Sequence, residues 1–412
     1  IPLYEIDVNG FRLPISISYH ASGNKVDDIA STVGLGWVLN AGGAVTRTVN
    51  GYQDENNTLF GDPEPYICKY KTAEQLQQYS ESQRLCEIFN IENGVDLESD
   101  FYTFNFNGIS GKFAYNSNSE LVLSSYDDLK ISGGPRAGFN IKTPDGSEYT
   151  FFNGDSLMTN TIIYKSCWYL DRIITPNSDT IKFKYNKVSY VQGENHISYN
   201  CINATYDWKY IENSDVVGWR YLDKILFKDD TISFLYSARS DLRPYRLQNI
   251  IIKNSNGHII KKIRFAQSYF ESSGANPNDP ATYKYRSRLK LDSLKFADPY
   301  SKTYQQTYYF GYNSTNLPPY FTDYSTDISY YGQDYWGYFN GVATNSHLIP
   351  IMNPCSNSSS VRTSDSIYMQ ATILKKIVYP TGGRSEFEYQ ANTNRSGVLI
   401  GGLRIKSIKN FI

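Results

Sequence analysis

A two-strand unit recurs along this chain of 412 residues and constrains its fold more than any other feature. It opens with Leu-x-x-Ile, crosses a turn rich in Pro, Asn, Asp and Gly, and returns through alternating aromatics, Phe-x-Tyr. Leu170-Asp171-Arg172-Ile173 leads through Thr175-Pro176-Asn177-Ser178-Asp179 to Phe183-Lys184-Tyr185. Leu222-Asp223-Lys224-Ile225 leads to Phe234-Leu235-Tyr236, and Leu291-Asp292-Ser293-Leu294 to Phe310-Gly311-Tyr312. Leu374-Lys375-Lys376-Ile377 leads through Tyr379-Pro380-Thr381-Gly382-Gly383 to Phe387-Glu388-Tyr389. Leu247-Gln248-Asn249-Ile250 with Ile263-Arg264-Phe265 is a weaker copy, and Thr143-Pro144-Asp145-Gly146 before Tyr149-Thr150-Phe151 has the form of another's second half. One hairpin cannot bury its apolar face alone, whereas stacked hairpins can. The predicted fold is therefore mainly β: an extended or curled antiparallel sheet of stacked β-hairpins. The irregular spacing of the units argues against a propeller of equal blades and suits a strip with loop insertions.

Composition agrees. The chain holds 37 Tyr, 21 Phe and 5 Trp, residues that suit pleated, half-buried surfaces. The Phe-x-Tyr pairs read as sheet packing. With 40 Lys+Arg against 41 Asp+Glu the formal net charge is −1, which argues against a nucleic-acid binder or a polybasic membrane-surface protein. No apolar run reaches the length of a membrane span. Four His, none at metal-ligand spacing, predict no metal site, and no cofactor-binding motif is present. None of the five Cys forms a C-x-x-C pair; Cys68 with Cys86, and Cys167 with Cys201, are the two conceivable bridges, and free buried thiols are the alternative.

The N-terminal region, 1–60, has its own character. In Leu13-Pro14-Ile15-Ser16-Ile17-Ser18-Tyr19 the residues at 13, 15, 17 and 19 share one strand face. Val33-Gly34-Leu35-Gly36-Trp37-Val38-Leu39-Asn40-Ala41-Gly42-Gly43 follows, with Trp37 as a core anchor and Gly34 and Gly36 suited to tight backbone. Residues 44–49 alternate as a further strand. Residues 61–99 break the β pattern: Thr72-Ala73-Glu74-Gln75 has the form of a capping box, and Leu76, Tyr79, Cys86 and Phe89 fall near helical spacing. A small helical insertion is predicted there. The hairpin array occupies 100–412, with an aromatic-rich insertion at 313–370. Gly402-Leu403-Arg404-Ile405-Lys406-Ser407-Ile408 matches Leu289-Lys290-Leu291-Asp292-Ser293-Leu294 in pattern, the first strand of another unit, so Ile412 is expected to be a cut within a longer protein.

The segment Leu13–Gly23 together with Gly34-Leu35-Gly36-Trp37-Val38-Leu39-Asn40-Ala41-Gly42-Gly43 resembles the N-terminal region of Bacteroidetes-type RHS (YD-repeat) proteins. The Gly-Leu-Gly-Trp core is also similar to the N-terminal segment of the insecticidal toxin-complex B component. The Tyr379–Tyr389 unit resembles a degenerate YD repeat, and Asp334-Tyr335-Trp336-Gly337-Tyr338-Phe339-Asn340-Gly341 resembles a segment of the same group. The resemblance implies a YD-repeat-like β shell wound around a C-terminal cargo, often a toxin, in an exported or surface-displayed bacterial protein. The self-cleavage signature of the later RHS core is not present in this sequence.

No hydrolase, P-loop, zincin or EF-hand motif occurs, and Gly34-Leu35-Gly36 lacks the third glycine of a dinucleotide site. The expected function is thus non-enzymatic: a secreted or cell-surface shell segment that encloses or presents an effector carried by the rest of its polypeptide. Gly34, Leu35, Gly36, Trp37, Gly42 and Gly43 are its expected structural motif. A second reading is a binding module for a surface glycan or a host or neighbour-cell protein, through Tyr335, Trp336, Tyr338, Phe339 and Asn340, whose aromatic faces and amide suit sugar stacking. The alternative for these residues is that they pack the insertion onto the sheet. A third reading is a glycosidase-like carboxylate pair among Asp323, Asp327 and Asp334.

Overall fold

The computed structural model describes residues 1–50, 100–116, 120–125, 128–159, 162–200, 205–297, 304–320, 331–345 and 361–412. The predicted helical insertion at 61–99 and four of the five cysteines lie outside them. The fold is mainly β. Strands β1 (Pro2–Val8), β2 (Phe11–Tyr19) and β3 (Trp37–Asn40) form a small antiparallel sheet. All remaining strands belong to one large antiparallel sheet: β4 (Gly43–Thr48), β5 (Phe101–Phe106), β6 (Ile109–Tyr115), β7 (Leu121–Leu123), β8 (Lys130–Gly134), β9 (Gly138–Lys142), β10 (Glu148–Thr159) and β11 (Ile162–Ile174). It continues through β12 (Thr180–Asn200), β13 (Thr205–Phe227), β14 (Asp230–Ala238), β15 (Tyr245–Lys253), β16 (Ile259–Glu271) and β17 (Ser287–Ala297). Its last members are β18 (Tyr304–Tyr312), β19 (Leu374–Val378), β20 (Arg384–Thr393) and β21 (Leu399–Phe411). One short helix, α1 (Pro280–Arg286), lies between β16 and β17.

From β8 to β21 every strand pairs with its successor, as stacked hairpins require. The sheet forks at β11, whose Cys167–Tyr169 stretch pairs with β4 while Arg172–Ile174 pairs with β12. Strands β4 to β7 then lead away as a meander. Among the described residues no pairing joins β7 to β8 or β21 to β4, so the ladders leave the sheet open.

Turn chemistry repeats with the strands. In 143–147, 175–179, 254–258, 379–383 and 394–398 the first residue donates its N–H to the fifth residue's carbonyl and accepts the fourth residue's N–H. The fourth residue has positive φ: Gly146, Gly257, Gly382 and Gly397, and Ser178 at 64°. This is a type I turn closed by a left-handed residue, which explains the Gly that ends most of these turns.

The core lies between the two sheets. Leu13, Ile15 and Ile17 of β2 are buried and Tyr19 is half-buried, the face the alternation predicts. They join Phe183, Ile225, Phe234, Ile250, Phe265 and Leu294 of the large sheet in one cluster. Each such aliphatic side chain contributes about 1.5–3 kcal/mol on leaving water. A second part of that cluster fills the curl of β4 to β11, where Tyr102, Phe113, Phe139 and Trp168 meet ring to ring at 5.0–5.9 Å.

Candidate functional site

The Leu-x-x-Ile…Phe-x-Tyr units share one geometry. In each, the residue before the Phe pairs with the third residue of the opening strand: Lys182 with Arg172, Ser233 with Lys224, Tyr309 with Ser293, and Glu386 with Lys376. The ladder stops there and the two strands part. The return strand then pairs with the next unit, skipping one residue of it. Tyr185 faces Leu222 and Lys184 faces Lys224, so Asp223 bulges; Tyr236 with Leu247 leaves out Gln248, and Tyr312 with Leu374 leaves out Lys375.

The tyrosine closes the parted mouth. Its hydroxyl donates to the carbonyl of the leucine that opens its own unit: Tyr185 to Leu170 at 2.8 Å, Tyr236 to Leu222 at 2.9 Å, Tyr312 to Leu291 at 2.6 Å and Tyr389 to Leu374 at 2.6 Å. The Phe-x-Tyr pairs are therefore packing residues, and the Tyr is also a lock that satisfies a carbonyl where the ladder ends. Burial raises the pKa of all four phenols above the ordinary value, so each remains a neutral donor.

The fifth unit departs from this. Arg264 pairs with Asn249 in the same register, but Gln267 stands in the tyrosine's place. Its amide donates instead to the carbonyls of Thr32 and Val33, at 3.2 and 2.8 Å.

Those carbonyls belong to a strap, residues 20–36, that runs between β2 and β3 and passes the parted mouths of the later units. At its start, the Leu403 N–H donates to the Ser22 carbonyl. Arg288, fully buried beneath the Tyr320 ring at 3.8 Å, donates to Val26, and Tyr320 itself donates to Asp28. Arg239 donates to the carbonyls of Ala30 and Ser31 while forming a buried ion pair with Asp241. Asp241 in turn accepts the Leu289 N–H at 2.8 Å. Leu247 donates its N–H to Thr32 at 2.8 Å. A strap without regular structure can be buried only because these donors meet its carbonyls.

The predicted Gly-Leu-Gly-Trp motif is the strap's anchor. The Leu35 N–H donates to the Leu289 carbonyl at 2.8 Å, and Leu35 is buried with Leu289, Phe270 and Leu317. Gly34 lies so near that a Cβ on it would sit 3.0 Å from the Leu291 nitrogen. Gly36 has φ +76°, and a Cβ there would meet the Tyr19 ring at 2.6 Å. Trp37 is buried against Phe310 and Tyr19, with ring centroids 4.7 and 5.2 Å away. Its Nε1–H donates to the Tyr312 hydroxyl at 2.8 Å. One phenol thus joins the hairpin lock to the strap. Gly42 lies against the Phe183 ring and Gly43 against Phe106, at the entry to β4.

The second set of sequence candidates divides. Asp334 is fully buried and holds a turn: its carboxylate accepts the Trp336 and Tyr338 N–H groups, each at 2.9 Å, and the Ser364 hydroxyl at 2.6 Å. Tyr338 and Asn340 are buried. Asn340 donates to the Val361 and Thr363 carbonyls, and the Gly337 carbonyl accepts the Val26 N–H of the strap. Phe339 packs on the cluster around Leu35 and edge-on to Tyr368. Tyr335 and Trp336 are 60% and 44% exposed and lie edge to face, with the Arg362 guanidinium over Tyr335. Asp323 and Asp327 fall outside the described residues. Cys167 is a free thiol whose pKa burial raises to about 12.

Arg239, Asp241, Arg288 and Tyr320 were not legible as strap-holding residues, because their partners lie as far as 292 positions away in the chain. Gln267 had a signal: it occupies the slot two after Phe265 where the other units carry Tyr.

No protein-family model and no curated protein matches the chain. Solved structures that superpose on it in part include the N-terminal domain of effector protein SpvB from Salmonella typhimurium strain LT2, at 12% identity and a TM-score of 0.36, over 72% of this chain and 98% of that one. TcdB2-TccC3 superposes at 11% identity and a TM-score of 0.39, over 76% of this chain. The Photorhabdus luminescens Tc holotoxin pore does so at 12% identity and a TM-score of 0.38, over 100% of this chain. This chain spans 16% of the TcdB2-TccC3 chain and 18% of the holotoxin-pore chain. TM-scores below 0.5 do not establish a common fold, so the architecture stands on the pairings of this chain itself.

Proposed function

We propose that this chain is a non-enzymatic wall segment of an RHS-type, toxin-complex-like shell, secreted or displayed at a bacterial surface, that encloses or presents an effector carried elsewhere in its polypeptide. The observation that carries this reading is the run of hairpins in one register, four of them closed by their own tyrosine and the fifth held to the strap by Gln267, each tied to its successor. Such a run builds a continuous wall without needing a cleft. The strap supports the same reading, because its backbone hydrogen-bonds Leu247, Leu289 and Leu403 beside the parted ends of the later strands and so ties successive units together. Resemblance of the Gly-Leu-Gly-Trp block to the N-terminal region of RHS proteins points the same way. No helix among the described residues is long and apolar enough to cross a membrane.

Electron microscopy of the polypeptide purified from its native host tests the proposal, combined with limited proteolysis. The expected particle is hollow, with a protease-resistant segment inside that becomes cleavable once the wall is opened by denaturant. A solid particle with no protected segment overturns it.

Side-by-side exposure of Tyr335 and Trp336 favours the second reading, a glycan- or protein-binding surface. Glycan titration followed by Trp fluorescence tests it, and loss of the response in Trp336→Ala assigns the site. No response to any surface polysaccharide removes the sugar.

A further inference from the structure

Strand register places a row of cations on one face of the large sheet. Lys182 of β12 faces Arg172 of β11, and Lys184, two residues on, faces Lys224 of β13. The Lys224 row continues through Ser233 and Ile251 to Lys262 of β16. Arg264, again two residues on, faces Lys295 of β17. The alternate residues Phe183, Ile225, Phe234, Ile250, Ile263 and Leu294 belong to the core, so the cations look away from the small sheet. Arg172, Lys182, Lys184, Lys224 and Arg264 are exposed.

Like charges directly opposite one another destabilise a sheet. Arg172–Lys182, Lys184–Lys224 and Arg264–Lys295 are such pairs. Among the described residues none of these cations forms an ion pair. The neighbouring acids, Asp171, Asp223 and Asp292, sit at bulges; Asp171 accepts the Asn153 amide, and Asp292 pairs with Lys290. The register does not impose this excess. In the last unit the positions of Arg172 and Lys182 are held by Lys376 and Glu386, and Glu388 pairs with Lys409.

We propose that this face binds an acidic polysaccharide. From β11 to β17 it spans six strand spacings, roughly 29 Å at about 4.8 Å each. Strands β12 to β17 are paired on both edges, so a peptide gains no ladder there. Among their described residues no aromatic ring is exposed, which denies single-stranded nucleic acid a stacking platform. Their exposed apolar side chains, Leu235, Ile259 and Ile260, are too few to enter a bilayer. At the border Tyr309, 54% exposed and diagonal to Lys295, offers one ring face to a pyranose. The face follows from register alone and does not depend on the array enclosing an effector.

Biolayer interferometry of the full chain on immobilised polygalacturonate, heparin and dextran tests it. Binding to the acidic polymers that weakens as salt is raised is expected, with none to dextran. Lys184→Gln with Lys224→Gln weakens it about tenfold, the worth of two exposed ion contacts. That variant keeps or raises the thermal midpoint, since it removes a repulsion, so lost binding is not lost folding. Lys409→Gln, whose cation already has Glu388, keeps the wild-type affinity. Binding to neither acidic polymer, equal binding to dextran, or tighter binding to poly-glutamate, duplex DNA or anionic vesicles overturns the proposal. So does binding that survives the double lysine variant and is lost in Trp336→Ala, which gives the sugar to the other surface.

Discussion

The β13–β14 hairpin and the β15–β16 hairpin are neighbours in one sheet and share a register, yet they close differently. In the first, Tyr236 reaches the Leu222 carbonyl within its own unit. In the second, Gln267 turns away from its unit and holds Thr32 and Val33 of the strap. A tyrosine lock is local: the two residues it joins are 14 apart in sequence and lie in one hairpin. The glutamine contact spans 234 or 235 positions and forms only when the strap is already in place. The difference separates two tasks, closing a unit and joining the units under a common cover.

Trp37→Ala tests the cover most severely. It empties a fully packed site and leaves the Tyr312 hydroxyl without its donor. A loss of about 3–5 kcal/mol is expected. Soluble yield and thermal unfolding measure it. An unchanged midpoint would show that the strap only lies on the hairpins and does not hold them.

Arg239→Met comes next. It removes the cation from a buried pair and leaves the Asp241 carboxylate with the Leu289 N–H, at an expected cost of about 3 kcal/mol. Arg239→Met with Asp241→Leu should recover much of that loss, because two apolar side chains leave no charge buried. If the double variant is no better than the single one, the pair serves to hold the strap carbonyls and not to neutralise each other.

The comparison between the two hairpins is sharpened by Tyr236→Phe and Gln267→Leu. Each should cost about 1 kcal/mol, the net worth of a hydrogen bond. The Thr32 carbonyl keeps the Leu247 N–H in the second variant, so only Val33 is left bare. Hydrogen exchange distinguishes them. Tyr236→Phe should speed exchange at the mouth of β13–β14, and Gln267→Leu should speed it in residues 30–37. The same pattern in both would erase the distinction between lock and cover.

Much of this was legible in the sequence because it is periodic. Leu-x-x-Ile, the turn and Phe-x-Tyr announce the hairpins, and the alternation of Leu13, Ile15 and Ile17 announces the core face of β2. Trp37 reads as an anchor from its size and its flanking glycines. The bulge after each opening leucine was not legible, since it is a property of the register between strands and leaves no fixed residue type: Asp223, Gln248, Asp292 and Lys375 all occupy it. The destination of each tyrosine hydroxyl was hidden for the same reason. Tyr338, Phe339 and Asn340 look like ligand-binding residues in sequence, yet the first and last are buried by the turn around Asp334, a fact that depends on partners at 361–364.

Alkaline pH gives the smallest and most selective test of the locks. Unfolded phenols ionise near pH ~10. Burial raises the folded values for Tyr185, Tyr236, Tyr312 and Tyr389, so the fold holds protons that the unfolded chain releases. Their contribution is complete below pH ~10 and is lost progressively as pH rises beyond it. Thermal midpoints measured between neutral pH and about pH 11 should therefore be level at first and then fall. Tyr236→Phe should begin lower and fall less steeply, because it has one fewer proton to lose. Gln267→Leu should keep the wild-type slope, since no titrating group changes there. A shared slope for all three proteins would show that the lock tyrosines ionise without opening the hairpins, and the local closure assigned to them would have to come from packing alone.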